Sequence, residues 1–182
     1  WARECDRSFW QKAVEASRNY LVISADKKTG MHPEYAQFDG TPDHTVHFPG
    51  GDPMFNDHGC YFSDAYRTIA NMGLDVLWNG PQKGYSEIAD NLINFFADIE
   101  PADYMKYEID GTPTEFKALH PIALLATLAQ GTMACSEKAR PACEKIIKRF
   151  WETKPRSGER RYYDNCLYLF AVLALSGKYS PE

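Results

Sequence analysis

Three short stretches of the 182-residue chain carry side chains capable of chemistry: Tyr61-Phe-Ser-Asp64-Ala-Tyr66-Arg67, Ala118-Leu119-His120-Pro121 and Arg161-Tyr162-Tyr163-Asp164-Asn165. Asp64 and Arg67 stand three residues apart, a spacing that puts both on one helical face, so the guanidinium can orient the carboxylate and keep it ionised. Such a carboxylate suits general-base work. Equally, Asp64 and Asp164 are candidates for helix capping, a common task of Asp near a first turn. His120 before Pro121 is the pattern of a proline opening a helix. Its imidazole is either a satisfied surface or core group or a partner for a ligand hydroxyl. Tyr162 and Tyr163 fit either packing or the wall of a cleft beside Asp164 and Asn165.

A second group, His44, His47, Asp57, His58 and Cys60, crowds one loop and raises the question of a metal. Zinc ligands arrive in tight paired spacings on rigid elements, whereas Phe48-Pro-Gly-Gly-Asp-Pro53 interrupts this set, so no metal is expected. Gly50-Gly51 lacks the strand and helix of a phosphate loop and reads as a turn. No cofactor is expected either. The five cysteines, Cys5, Cys60, Cys135, Cys143 and Cys166, are scattered and odd in number, which predicts free thiols, most of them buried.

The elements that must position these groups are helical. Phe9, Trp10, Ala13, Val14, Ser17, Tyr20 and Leu21 recur at helical spacing and predict an amphipathic helix over 6–22. Two more follow from Tyr85, Ile88, Leu92, Phe95 and Phe96, and from Ala139, Cys143, Ile146, Ile147, Phe150 and Trp151. Segments 62–78, 118–134 and 162–176 are apolar or small nearly all round, which predicts helices buried on most sides. The two kinds alternate three times along the chain. Long Gly/Pro/Asp-rich connections (23–61, 99–117, 153–161) lead into the buried helices, and short turns (79–83, 135–138) lead out. All decorated loops therefore fall on one face. The expectation is an all-α toroid of helical hairpins with the buried helices inside; three hairpins, six helices, make either an open half-toroid or one half of a ring whose other half lies on a further segment. Tyr107-Glu-Ile-Asp-Gly-Thr-Pro113 and its near copy Phe38-Asp-Gly-Thr-Pro42 carry Asp-Gly turn signatures and predict short β-hairpins in the loops.

Composition bounds the rest. Apolar residues at 44% and charged residues at 25% describe one globular unit. The longest apolar run, Leu167 to Leu175, is about half of what crosses a bilayer. A net charge of −5 with interspersed signs offers nothing to nucleic acid or to an anionic membrane. Eleven Tyr, ten Phe and four Trp exceed what a helical core requires, so some rings are expected to face a ligand. Trp1-Ala-Arg-Glu-Cys-Asp-Arg7 runs directly into the first helical pattern with nothing like a leader. A cytoplasmic setting is expected, with a periplasmic or secreted one left open.

Tyr61 to Gly73 resembles the catalytic-base region of glycoside hydrolase family 8. The resemblance continues through Thr29-Gly-Met-His-Pro-Glu-Tyr-Ala-Gln-Phe-Asp-Gly-Thr-Pro42, Phe95-Phe-Ala-Asp98, Leu119-His-Pro121, Arg160-Arg-Tyr-Tyr-Asp-Asn-Cys-Leu-Tyr168 and Leu173-Ala-Leu-Ser-Gly177, and so spans nearly the whole chain. It is similar to the subgroup that releases xylose from the reducing end of xylooligosaccharides. The resemblance implies an (α/α)6 toroid and inverting hydrolysis of β-1,4-xylosidic bonds. It implies Asp64 as general base with Arg67 in contact with it. His120 then stands in the loop that reads the reducing-end sugar, and Tyr162, Tyr163 and Asp164 stand in the cleft wall. The family's general acid, a Glu in a Glu-Gly-Met-Ser-Tyr-Gly-like motif, has no counterpart here. The chain, 1–182, thus resembles the C-terminal half of one catalytic domain, with the N-terminal half as its partner and a xylooligosaccharide or related β-1,4-linked oligosaccharide as substrate. An endo-acting xylanase, cellulase or chitosanase of the same fold, or a non-catalytic carbohydrate-binding module, are the alternatives.

Overall fold

The computed structural model describes residues 6–46 and 49–179, leaving Cys5 and His47 outside the described residues. All six expected helices are present: α1 (Arg7–Ile23), α2 (Tyr66–Asn79), α3 (Tyr85–Phe96), α4 (Pro121–Gly131), α5 (Arg140–Glu152) and α6 (Arg161–Leu175). Among the described residues the only sheet is a two-stranded antiparallel hairpin of β1 (Met105–Tyr107) and β2 (Pro113–Lys117) in the α3–α4 connection. Among the described residues no helix is long and apolar enough to cross a membrane.

α4 is the centre of the packing. Its sequence, Pro-Ile-Ala-Leu-Leu-Ala-Thr-Leu-Ala-Gln-Gly, has no charge, and everything from Ala123 to Gly131 is buried. α2 and α6 both pack on α4, while α3 and α5 form the layer behind it. Close approach of α2 depends on Gly73, where a Cβ would collide with the Gln130 carbonyl oxygen. Gln130 Nε2 donates to the Ala70 carbonyl at 3.0 Å across the same contact. α1 is tied to α2 by the bidentate pair of Arg18 with Asp75, 2.6 and 2.8 Å.

The two Asp-Gly loops have the same geometry. In one, Gln37 N–H donates to the Thr41 carbonyl and Gly40 N–H to the Gln37 carbonyl, while Asp39 accepts the Thr41 N–H. In the other, Glu108, Thr112, Gly111 and Asp110 make the same three bonds. Gly40 and Gly111 sit at φ +90° and +94°, the left-handed region that favours glycine. Through the pairing of Tyr61 with Tyr107, β1 seats the chain just ahead of α2.

Three expectations change, for α2, α6 and the cysteines. α2 is covered on one side only, with Arg67, Asn71, Leu77 and Trp78 exposed. α6 is not buried on most sides: only Asp164, Ala171 and Ala174 are fully covered, and Leu169 and Phe170 are 54% and 42% exposed. Apolar composition reports that a surface needs a partner, and among the described residues α4 is its principal one. Many of the aromatic rings build core rather than cleft, since Tyr61, Tyr66, Phe96, Tyr104 and Tyr107 pack together with centroids 5.2–5.9 Å apart. Of the four described free cysteines only Cys60 is buried, because Cys135, Cys143 and Cys166 lie where helices meet the surface.

Candidate active site

The N-termini of α2, α4 and α6 meet at one rim. A 3-10 turn, Ser63–Ala65, leads into α2 and carries Asp64, His120 occupies the position before α4, and Tyr163 and Asp164 lie in the first turn of α6. Direct bonds hold the three together. The Tyr163 hydroxyl donates to the Ser63 carbonyl at 2.5 Å, and the His120 and Tyr163 rings lie 4.5 Å apart. His120 Nδ1 is 2.8 Å from Asp164 Oδ2.

Asp64 stands at the open edge, about half exposed, with Arg67 Nη2 2.7 Å from Oδ1. The i,i+3 geometry expected from spacing is thus in place. Arg67 Nε also approaches the Asp64 carbonyl, at 3.4 Å.

Asp164 is fully buried and works beneath the rim. Its Oδ1 accepts the Ala123 N–H at 2.8 Å, capping the first turn of α4 from a neighbouring helix. Its Oδ2 takes His120 and an Arg156 N–H at 2.8 Å, while the same Arg156 nitrogen donates to the Leu119 carbonyl at 2.9 Å. Burial alone would raise the Asp164 pKa, but the hydrogen bonds from His120, Ala123 and Arg156 outweigh it and hold the carboxyl below its ordinary value. The ionised Asp164 only accepts, so His120 carries its proton on Nδ1 and leaves Nε2 for the rim. Tyr163 is half-buried in the same place, with its phenol pushed up mainly by burial. Tyr162 projects from α6 and is 82% exposed, beside a groove lined by Arg161, Asn165, Cys166 and Leu169.

The histidine-rich loop splits in two. Asp57, Cys60 and Glu108 bring one ligand atom each within 4.8 Å of one another. The positive charge facing them is the buried Lys106 ammonium, which donates to the Met54 and Asp57 carbonyls at 3.0 and 2.8 Å. Burial pushes the Cys60 thiol up to about 12, so it is protonated at neutral pH. His44 pairs with Asp57 at 3.0 Å, and His58 turns instead to Glu34, 2.9 Å away.

Spacing gave no role to Glu34 or Arg156, and weighed His58 only as a metal ligand. Glu34 Oε1 accepts the Asp64 N–H at 2.9 Å, and Arg156 reaches both Leu119 and Asp164. Glu34 lies inside the Thr29–Pro42 motif, which was the one signal pointing to it.

Neighbouring helices carrying an exposed acid, an oriented histidine and a tyrosine at one rim define a class: mostly helical proteins with a polar site at the N-terminal ends of packed helices. No protein-family model matches the chain. It is 48% identical to the reducing-end xylose-releasing exo-oligoxylanase of Halalkalibacterium halodurans over 179 residues, which is 98% of this chain and 43% of that protein. It is 44% identical over 179 residues to the corresponding enzyme of Paenibacillus barcinonensis, covering 98% of this chain and 44% of that one. The enzyme of Bifidobacterium adolescentis is 44% identical over 185 residues, covering 100% and 46%. A solved structure of a reducing-end-xylose releasing exo-oligoxylanase complexed with xylose superimposes with a TM-score of 0.85 at 48% identity, over 95% of this chain and 43% of that one. The chain spans about half the length of the curated relatives it matches.

Proposed function

We propose that the chain is the C-terminal half of an (α/α)6 catalytic domain of glycoside hydrolase family 8, and that the complete protein releases xylose from the reducing end of xylooligosaccharides by inversion. The observation that carries this reading is the convergence of Asp64, His120 and Tyr163 at one rim, in a chain that is similar to exo-oligoxylanases along nearly all its length. Asp64 is the general base. It removes a proton from the water that attacks the anomeric carbon, and Arg67 holds it charged and aimed. His120, fixed through Nδ1 by Asp164, presents Nε2 to the sugar on the leaving-group side. Tyr163 walls the cleft, and Tyr162 extends that wall. Asp164 is a positioning residue, since its carboxylate has no exposed surface.

The acid that protonates the leaving oxygen must come from the rest of the protein, because inversion needs two carboxyls roughly 6.5–9.5 Å apart with water between. Solved relatives include a variant with a glutamate replaced by alanine, complexed with xylobiose, and variants with one aspartate replaced by cysteine, asparagine or glycine.

The test is Asp64→Asn in the complete enzyme. Asn keeps the shape and removes the proton acceptor, so kcat on xylotriose falls by at least about 10²-fold while xylobiose binding survives. A parent-like kcat would leave Asp64 as a turn residue and end this reading.

A further inference from the structure

Asp64 is gripped from outside its own helix by a group with no exposed role. The Ser63–Ala65 turn has Phe62 at its cap position, which offers no acceptor, and the Ser63 hydroxyl makes no hydrogen bond. The task a Ser or Asp normally performs there falls to Glu34, thirty residues earlier in the chain. Its carboxylate is 7% exposed and both oxygens are used: Oε1 by the Asp64 N–H and Oε2 by His58 Nδ1, each at 2.9 Å. His58 is itself fixed, stacked on Tyr35 at 4.3 Å with 14° between the ring planes. The Glu34 N–H donates to the Cys60 carbonyl and the Tyr35 N–H to the His58 carbonyl, which locks the backbone on both sides of the pair. From the opposite side, Tyr163 holds the Ser63 carbonyl.

We propose that Glu34 is a positioning residue for Asp64: by holding the Asp64 N–H, with His58 holding its second oxygen, it sets where the attack-side carboxylate stands. The inference rests on the reading of Asp64 as base. A buried carboxylate that costs free energy to desolvate is kept where two donors satisfy it, and here one donor belongs to the residue whose placement matters most. A displacement of about 1 Å at a reacting group can cost about 10²-fold in rate, so the grip is worth more in kcat than in binding.

The experiment uses the complete enzyme and xylotriose, with Asp64→Asn measured alongside. Glu34→Met fills the site without an acceptor and is expected to lower kcat by about 10- to 100-fold with KM within about twofold. Glu34→Gln keeps an acceptor for the Asp64 N–H and is expected to stay within about threefold of the parent. In the Asp64→Asn background, Glu34→Met should cost no more than about twofold further, because a residue acting through Asp64 has nothing left to position. If Glu34→Met fails to fold, Glu34→Asp, one methylene too short to span both donors, takes its place with the same expectations. A parent-like Glu34→Met, a Glu34→Gln as damaging as Glu34→Met, or a full further loss in the Asp64→Asn background each overturns the proposal and leaves the base assignment standing. A parent-like Asp64→Asn overturns both.

Discussion

His32 is a buried histidine whose ring Nε2–H donates to the Leu21 carbonyl at 2.8 Å. Burial outweighs that bond and lowers its pKa from 6.5 to about 4. The unfolded chain therefore binds a proton between those values that the folded chain refuses, and stability falls as the pH falls. The contribution is fully present above about pH 6.5 and disappears as the pH drops through about 4, a difference of about 3 kcal/mol. Replacing His32 with Gln should flatten the dependence of the melting temperature on pH between 4 and 7, and an unchanged slope would locate the titration elsewhere. Residues of this kind mark the limit of reading from spacing. Asp64 and Arg67 were legible because a helix turn joins them. Asp164 and His120 lie 44 residues apart, so their bond exists only once α4 and α6 are packed. The capping role weighed for Asp164 turned out to serve α4 rather than its own helix.

At the scale of elements, what was local was legible. The Asp-Gly signatures at Asp39 and Asp110 produce the same three hydrogen bonds because turn chemistry is settled within five residues. Helix existence followed from period, and α4 proved buried as expected, whereas α2 is covered on one side only and exposes Leu77 and Trp78. The open face of α6 was not legible, because the pattern Leu167-Tyr-Leu-Phe-Ala-Val-Leu-Ala-Leu175 specifies apolar surface without naming what covers it. Nor did the sequence announce which glycine governs helix approach. Gly73 does so for α2 on α4, since a Cβ there meets the backbone of Gln130 rather than a side chain that could yield. Gly73→Ala gains about 1 kcal/mol of helix propensity yet should destabilise by about 1–3 kcal/mol net through overpacking. Asn71→Ala, on the exposed side of the same helix, is the control and should be neutral or slightly stabilising. Denaturant midpoints measured side by side decide it, and a stabilised Gly73→Ala would show that α2 and α4 can part without cost.

At the scale of the molecule, the apolar surface is unevenly spent. α4 is covered on every side, yet α1 has no fully buried residue and exposes Phe9, Val14 and Ile23, while α6 exposes Tyr162, Leu169 and Phe170. The twin loops show the same imbalance in miniature: Ile109 packs against the core, but Phe38, its equivalent at the other tip, is 99% exposed. Surfaces of this kind on the two terminal helices mark sites of association, and in the proposed toroid they are where the N-terminal half would close the ring. The chain produced alone should therefore self-associate, bind an apolar dye and melt over a broad range. Supplied with the N-terminal half as a second polypeptide, it should become monodisperse and active. Leu169→Ser combined with Phe170→Ser separates this from general stickiness. Each substitution removes a half-exposed apolar side chain worth about 1 kcal/mol on full burial, so the double variant should be more soluble alone but bind its complement roughly tenfold to a hundredfold more weakly. Sedimentation of the isolated chain and titration of recovered activity against the complementary half give both numbers. A compact, cooperatively melting monomer, with the double variant reconstituting like the parent, would show that the α6 face is simply solvent-exposed and that closure of the cleft takes place elsewhere.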